Sequence, residues 1–409
     1  MITSLSADKF SLASDTFDDL ELSAAKRVLD SGNYTMGDKV KEFEAAIGQW
    51  VGAKNVIMVN SGSSANLLLV QSLLSRSNPD LQRLSPGDEV LVPSLSWSTT
   101  VWPIVQLGLV PVFVDCDPQT LAIDLVAAKK SLSPKTKAVF LIHILGLSAE
   151  MKAFTQFCQE NKLVLLEDCC ESMGAFFGGR HVGTFGIGGT LSHFFSHHLT
   201  TIEGGCIFTD DDALADDLRS MRAHGWIRER SDKTKWVAAN KNLDPRFMFI
   251  MPGYNVRPME LQAAIGLVQL KKLDSFLEKR EAIAKKASEI FSEVPWLHLI
   301  GKEFLQSSPS RKERRHSWMN LPIKLSKDAP VNVTRVQEIL ENAGVETRPI
   351  IAGNFTEHPG IHHIKHRIGS SLNHSKEILS QGFMIGCHPK LESKHFEILS
   401  KAIKDLKNL

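Results

Sequence analysis

Ser192-His193-Phe194-Phe195-Ser196-His197-His198-Leu199-Thr200-Thr201-Ile202-Glu203-Gly204-Gly205 is the stretch on which the reading of the fold turns. Apolar runs bracket it: Leu191–Phe195 and Cys206–Thr209 both read as strands. Between them stand paired histidines, hydroxyls and a Glu-Gly-Gly turn, with no lysine. Upstream, short Val/Ile/Leu-rich runs recur at Asn55–Val59, Glu89–Val92 (ending at Pro93), Val110–Val114, Ala138–His143 and Leu163–Glu167. Helical stretches fit between them, one from about Ala65 to Ser75. Apolar strands joined by helices imply an α/β protein with a mostly parallel central sheet covered on both faces. Downstream, Met259–Val294 has apolar residues at helical spacing and Lys and Glu on the other face, so one long helix is expected. A smaller C-terminal α/β domain should follow, with strands at Trp318–Leu325 and Val345–Ile351. Its helices fall at Val331–Ala343, Asn373–Gln381 and Ser393–Leu406. The expected division is 1–280 and 281–409, with Gln306–His316 as an exposed loop.

Composition narrows the function classes. A net charge of +1 gives no electrostatic reason for binding nucleic acid or an anionic membrane. No apolar run approaches the ~18 residues of a membrane span, and the first residues lack the pattern of a secretory signal. A cytoplasmic location is the expectation. The six cysteines show no CxxC spacing, so a disulfide framework is not expected, and Cys169 and Cys170 read as small buried residues.

Several residues can carry chemistry, and each has a plainer reading beside it. Asn60-Ser61-Gly62-Ser63-Ser64 links a strand to a helix; small residues there let backbone N–H groups approach a phosphate, though such turns often merely connect. Asp168 follows a strand whose C-terminal end is where ligands collect in open α/β sheets, but a lone Asp there is also a common cap. Trp97 lies just beyond a strand and is either a platform for a flat ring or a core residue. Asn255, in Gly253-Tyr254-Asn255, is by itself a loop residue. His197 and His198 are adjacent, and no carboxylate or Cys stands at i+3 or i+4, so no metal site is expected.

Taken in order, these segments resemble the DegT/DnrJ/EryC1/StrS family of nucleotide-sugar aminotransferases, from Asn33-Tyr34-Thr35-Met36-Gly37 to about Pro389. The resemblance implies the fold of PLP-dependent transferases of fold type I, aspartate aminotransferase-like, and a homodimer with shared active sites. In that family a Ser stands five residues before the lysine that binds pyridoxal phosphate (PLP), and Glu-Gly-Gly stands six after it. Ser192 and Glu203-Gly204-Gly205 keep both spacings and put His197 in the lysine's place. An imidazole can move protons but cannot form the lysine's imine.

By position, the resemblance gives Gly62, Ser63 and Ser192 to the cofactor phosphate, Asp168 to the pyridine nitrogen and Trp97 to the ring face. Asn255 would reach the partner subunit's cofactor. Glu171 stands where the aminotransferases have Gln. Arg348 and His224 are candidates for substrate binding, and Arg311, Lys312, Arg314 and Arg315 read as a solvated cluster.

The His-His-x-Thr form is similar to the sugar 3-dehydratase branch of the family. That branch implies PLP cycling with pyridoxamine phosphate (PMP), glutamate as amino donor and a nucleotide-linked 4-keto-6-deoxyhexose as substrate. Pro252–Pro258 and Glu346–Pro349 look closer to the members that use a GDP-sugar. No cysteine lies between Cys206 and Cys387, so an iron–sulfur cluster is not expected. The rival expectations are an ordinary sugar aminotransferase with a displaced lysine and a non-catalytic relative that retains PLP.

Overall fold

The computed structural model describes residues 9–74, 83–305 and 314–409. In chain order the elements are α1 (Asp19–Ser31), α2 (Asp38–Val51), β1 (Asn55–Val59), α3 (Gly62–Ser72), β2 (Glu89–Pro93), α4 (Ser98–Gln106), β3 (Val110–Val114), α5 (Leu125–Lys130) and β4 (Thr136–Ile142). They continue with α6 (Met151–Glu160), β5 (Val164–Asp168), β6 (Phe176–Phe177), β7 (Arg180–His181), β8 (Gly188–Ser192), β9 (Gly205–Thr209), α7 (Asp212–Arg222), α8 (Lys233–Ala239) and α9 (Glu260–Phe291). The C-terminal part adds β10 (Leu297–Leu299), β11 (Arg314–Arg315), β12 (Asn320–Leu325), α10 (Val333–Asn342), β13 (Arg367–Ile368), α11 (Asn373–Gln381), β14 (Gly382–Gly386) and α12 (Ser393–Lys407).

The large sheet has eight strands in the order β1-β9-β8-β5-β4-β2-β3-β13. Every neighbouring pair is parallel except the two that β9 makes, so β9 alone runs against the rest. The C-terminal ends of β1, β2, β5 and β8 therefore share one edge, where an α/β sheet collects ligands. The strands are apolar throughout because both faces are covered. Val90, Val92, Phe113, Phe140 and Leu166 pack with α3, α4 and α7 on one face. Their neighbours Leu91, Val112, Val139, Leu141 and Leu165 pack with Phe154 and Phe157 of α6 on the other.

The 32 residues of α9 span roughly 48 Å at 1.5 Å per residue, and this length joins the two parts of the molecule. Leu273 and Leu277 pack with Phe43 of α2 and Phe208 of β9. Ile283, Ala287 and Phe291 enter a separate core with Ile323, Phe383, Ile385 and Leu399. That second core covers the antiparallel sheet β10-β12-β14.

The structure corrects several sequence expectations. Val345–Ile351 is no strand: it makes only isolated bridges, Val345 to Phe10 and Arg348 to Met384. The strand expected at Leu191–Phe195 lies at Gly188–Ser192, because the chain must leave the sheet before Phe194. The helix expected from Ala65 starts at Gly62 and ends at Ser72; Ser75 lies outside the described residues. Arg314 and Arg315 are not a solvated loop. They form β11 against β6, and Arg314 donates to Ser148 Oγ at 2.9 Å and Glu150 at 3.0 Å. Arg311 and Lys312 lie outside the described residues. From within the C-terminal stretch, β13 returns to the edge of the large sheet, where Arg367 forks onto buried Glu89 at 2.9 and 2.7 Å.

Buried Glu260, at the start of α9, caps a second helix, α2. Its carboxylate accepts the backbone N–H groups of Gly37 (2.8 Å), Lys39 (2.9 Å) and Val40 (2.9 Å) at the start of α2. The negative charge also suits the positive ends of both helices. Glu260→Ala leaves these donors unsatisfied and should lower stability by about 3 kcal/mol, read as a lower urea midpoint.

Candidate active site

Asp168 ends β5 and is almost fully buried. Its Oδ2 accepts from Asn66 Nδ2 of α3 at 2.8 Å and from Thr100 Oγ1 of α4 at 2.7 Å. Its Oδ1 accepts the Cys170 N–H at 3.0 Å. Thr190 of β8 donates to Asn66 Oδ1 at 2.7 Å, which fixes the amide's orientation. Glu167 points to the opposite face, as strand alternation requires. It accepts from the N–H groups of Gly183, Phe185 and Gly186 and pairs with His143 Nε2 at 3.2 Å. His143 Nδ1 accepts the Ala149 N–H, so Nε2 carries the proton.

Beside Asp168, the start of α3 meets the end of β8. Ser61 caps α3 through Ser64 N at 3.1 Å, leaving the first N–H groups, those of Gly62 and Ser63, without intrahelical acceptors. Gly62 is required by close approach: a Cβ there would stand 2.6 Å from Ser192 Cβ and 3.0 Å from Cys170 Sγ. Gly205 is required for the same reason, since its Cβ would fall 2.5 Å from the Ser61 carbonyl. The Glu-Gly-Gly turn thus lets β9 pass directly beneath the Ser61-Gly62 turn. Trp97 precedes α4 and is 54% exposed, which rules out the core reading.

His197 lies in the loop between β8 and β9, half-buried, with its edge toward Phe194. Its Nδ1 is sealed from solvent without a partner, which leaves Nε2 as the nitrogen that reaches open space. Desolvation, helped by the positive charge of Arg280, holds its pKa down at about 4. The imidazole is therefore a neutral proton acceptor at neutral pH. Burial lowers His193 to about 3 and His198 well below its ordinary value. Glu171 accepts the Leu145 N–H at 3.0 Å, yet desolvation, with the nearby Asp168 charge adding to it, raises its carboxyl to about 7.

Gly62, Ser63, Trp97, Asp168, Glu171, Ser192 and His197 thus all lie at or next to one sheet edge. The remaining candidates do not join them within the chain. His224 is exposed at φ 64°, 2.9 Å from Arg257 Nη1, and lines a separate cavity of about 850 Å³ with Arg228 and Arg257. Asn255 is exposed and bridges to Ala223. Arg348 is exposed beside β14. Sequence reasoning missed Asn66 and Thr100, which hold Asp168. Their helical positions next to the two strand ends were the available signal. All six cysteines are free. Among the described residues no group of three or more His, Cys, Asp or Glu could hold a metal ion.

Residues 15–404 match the DegT/DnrJ/EryC1/StrS aminotransferase family, and the chain belongs to it. It is 39% identical over 404 residues to the GDP-4-keto-6-deoxy-D-mannose 3-dehydratase of Yersinia pseudotuberculosis, covering 98% of each chain. A crystal structure of GDP-4-keto-6-deoxymannose-3-dehydratase, in a substituted form with bound GDP-perosamine, superposes with a TM-score of 0.88 at 37% identity, covering 96% of this chain and 99% of the other. Another, with a trapped PLP–glutamate geminal diamine, gives a TM-score of 0.85 at 36% identity, covering 97% and 99%. The fold is that of the PLP-dependent transferases of fold type I, as the sequence implied.

The buried histidines set a pH dependence. His193, His316 and His388 are held at about 3 and His197 at about 4, each chiefly by desolvation. An unfolded histidine titrates near ~6.5, so between there and pH ~4 the unfolded chain takes up protons that the folded chain refuses. Stability is full above that window and falls as pH drops through it, by up to ~1.4 kcal/mol per unit for each histidine. Glu171 has the opposite sign, losing stability as pH rises toward 7, but it is one group against several. The urea midpoint should be clearly lower at about pH 5 than at about pH 7.

Proposed function

We propose that the chain is a PLP/PMP-dependent sugar-nucleotide 3-dehydratase. It removes the C3 hydroxyl of a nucleotide-linked 4-keto-6-deoxyhexose, GDP-4-keto-6-deoxymannose, with glutamate as amino donor. The observation that carries this reading is the half-buried imidazole of His197, its Nδ1 sealed and its pKa held down by desolvation, at the place of the family's lysine.

The residues present fit PLP. A turn of small residues, with Gly62 against Ser192 at the start of an 11-residue helix, suits a phosphate. A carboxylate fixed at the sheet edge suits a protonated pyridine nitrogen, and the exposed indole of Trp97 suits a flat ring. Bound there, PLP would supply amine exchange with glutamate and an electron sink joined to the sugar's C4 carbon.

The chain's own residues supply the rest. Gly62, Ser63 and Ser192 hold the phosphate, since no lysine anchors the cofactor covalently. Asp168 orients the ring through its nitrogen. His197 takes up a proton at Nε2 and then delivers it to the departing C3 oxygen, which leaves as water. Glu171, its carboxyl raised by burial to about 7, is only partly ionised near neutral pH and would add less than a full negative charge beside Asp168. Asn255 serves the partner's site in a homodimer with shared active sites. Its exposure supports that assignment. His224, beside Arg257 in its own cavity, and the exposed Arg348 are the candidates for contacts to the sugar nucleotide or glutamate.

On this reading residues 1–280 form the cofactor domain and 281–409 the smaller one. Among the described residues no helix is long and apolar enough to cross a membrane, and a nucleotide-sugar substrate fits a cytoplasmic location.

The test is a product mass. Purified protein with PLP, glutamate and GDP-4-keto-6-deoxymannose should give a product lacking one oxygen. A product whose keto oxygen has become an amine would make the chain an aminotransferase, and PLP binding without any turnover would make it a non-catalytic relative. His197→Asn should slow deoxygenation by ~10²–10⁴-fold, the usual size of a general acid–base contribution.

A further inference from the structure

The histidine loop, α9 and the C-terminal part meet at one buried point. Arg280 of α9 is 2% exposed. Its Nη1 donates to the carbonyls of Trp318 (3.1 Å), Met319 (2.8 Å) and Cys387 (2.8 Å), while its Nε is buried without a partner. Among the described residues no carboxylate pairs with it, so carbonyl dipoles alone offset its charge. From the other side, His198 Nε2 lies 3.0 Å from the Ser317 carbonyl. A carbonyl only accepts, so Nε2 carries the proton, and the bare Nδ1 is sealed from solvent. The intervening segment is itself fixed: Ser317 and Met319 donate to the carbonyls of Gly146 and Leu145, both at 2.9 Å, and Trp318 sits at φ 50°.

We propose that His198 is a positioning residue for His197: its bond to the Ser317 carbonyl, backed by Arg280 on the adjacent carbonyls, clamps the loop and holds the neighbouring imidazole in its half-buried seat with Nδ1 sealed. The proposal rests on the reading of His197 as the acting base. One peptide bond separates the two histidines, so a ring anchored at 198 limits how far 197 can swing toward water. The titratable and charged groups around His197 are His193 and His198 on its own loop and Arg280 on α9; His388 flanks Arg280 from the end of β14. If the clamp opens, water reaches the ring, the desolvation that keeps it neutral weakens, and its titration moves back toward the ordinary value.

His198→Gln keeps an N–H donor at this position, and His198→Leu removes it at similar volume. NMR of ring-labelled histidine follows the His197 titration directly, without cofactor or substrate. The pH profile of deoxygenation follows it in the working enzyme. The Gln variant should titrate like the parent. In the Leu variant His197 should rise by ~1 pH unit or more as its desolvation is relieved. The acid limb of kcat should move up by the same amount, and kcat should drop ~10-fold or more with KM for the sugar little changed. If Leu does not fold, His198→Asn, whose shorter amide does not reach, takes its place. Equal His197 titration in the parent, Gln and Leu (or Asn) proteins overturns the clamp. A parent protein that never deoxygenates overturns the functional reading instead, and the NMR titration still decides the clamp.

Discussion

The carboxylate of Asp168 is the constraint on which the site depends. Burying a carboxylate is expensive unless its lone pairs are satisfied. Here the donors come from three elements: Asn66 on α3, Thr100 on α4 and the backbone of Cys170 after β5. Thr190 adds β8 by holding the far side of the Asn66 amide. These elements are the ones that present Gly62, Trp97 and Ser192. Satisfying one buried charge therefore sets the relative positions of the Gly62 turn, the Trp97 indole and Ser192. Glu167, one residue earlier and on the opposite face, fixes the 183–186 turn in the same way. Two successive carboxylates thus tie both faces of the sheet at the same strand end.

Around this frame the interior is unusually rich in imidazole. His193, His197, His198, His316 and His388 all have depressed pKa values, chiefly through burial. The positive charge that acts on His197, His198 and His388 together is Arg280, itself lowered to about 10 by desolvation. A protonated histidine beside it would face both desolvation and like-charge repulsion. The arrangement is consistent only while the rings are neutral, which makes the site a set of proton acceptors rather than a cationic pocket.

Much of the large sheet was legible because its strands are apolar on both faces and short. Asn55–Val59 and Val110–Val114 have the expected bounds. The long helix was legible from its period, within one residue at its start and three at its end. What escaped was set by tertiary contact. Val345–Ile351 has strand composition but lies where only isolated bridges form. Arg314 and Arg315 have loop composition but pair with Phe177 and Phe176, with Arg314 stacking over aromatic rings. At the site, motif spacing placed Gly62, Asp168, Ser192 and His197 along one edge. No local pattern distinguishes Arg280 from the other charged residues of α9, because its role comes from three carbonyls distant in sequence.

The environment of position 197 also bears on why an imidazole stands there. A free lysine ammonium in the same seat would be desolvated and close to Arg280, and both effects destabilise its charge. Linking the amine to a cofactor relieves that cost only while the link persists. A neutral imidazole avoids it in the resting state, and on the proposed function it leaves retention of the cofactor to the α3 N-terminus, Ser192 and Asp168. On the proposed function this is a coherent exchange. The amine that could complete a transfer is absent, the group that remains can only move protons, and the contacts that hold the cofactor are fixed by backbone geometry that does not change as the proton moves.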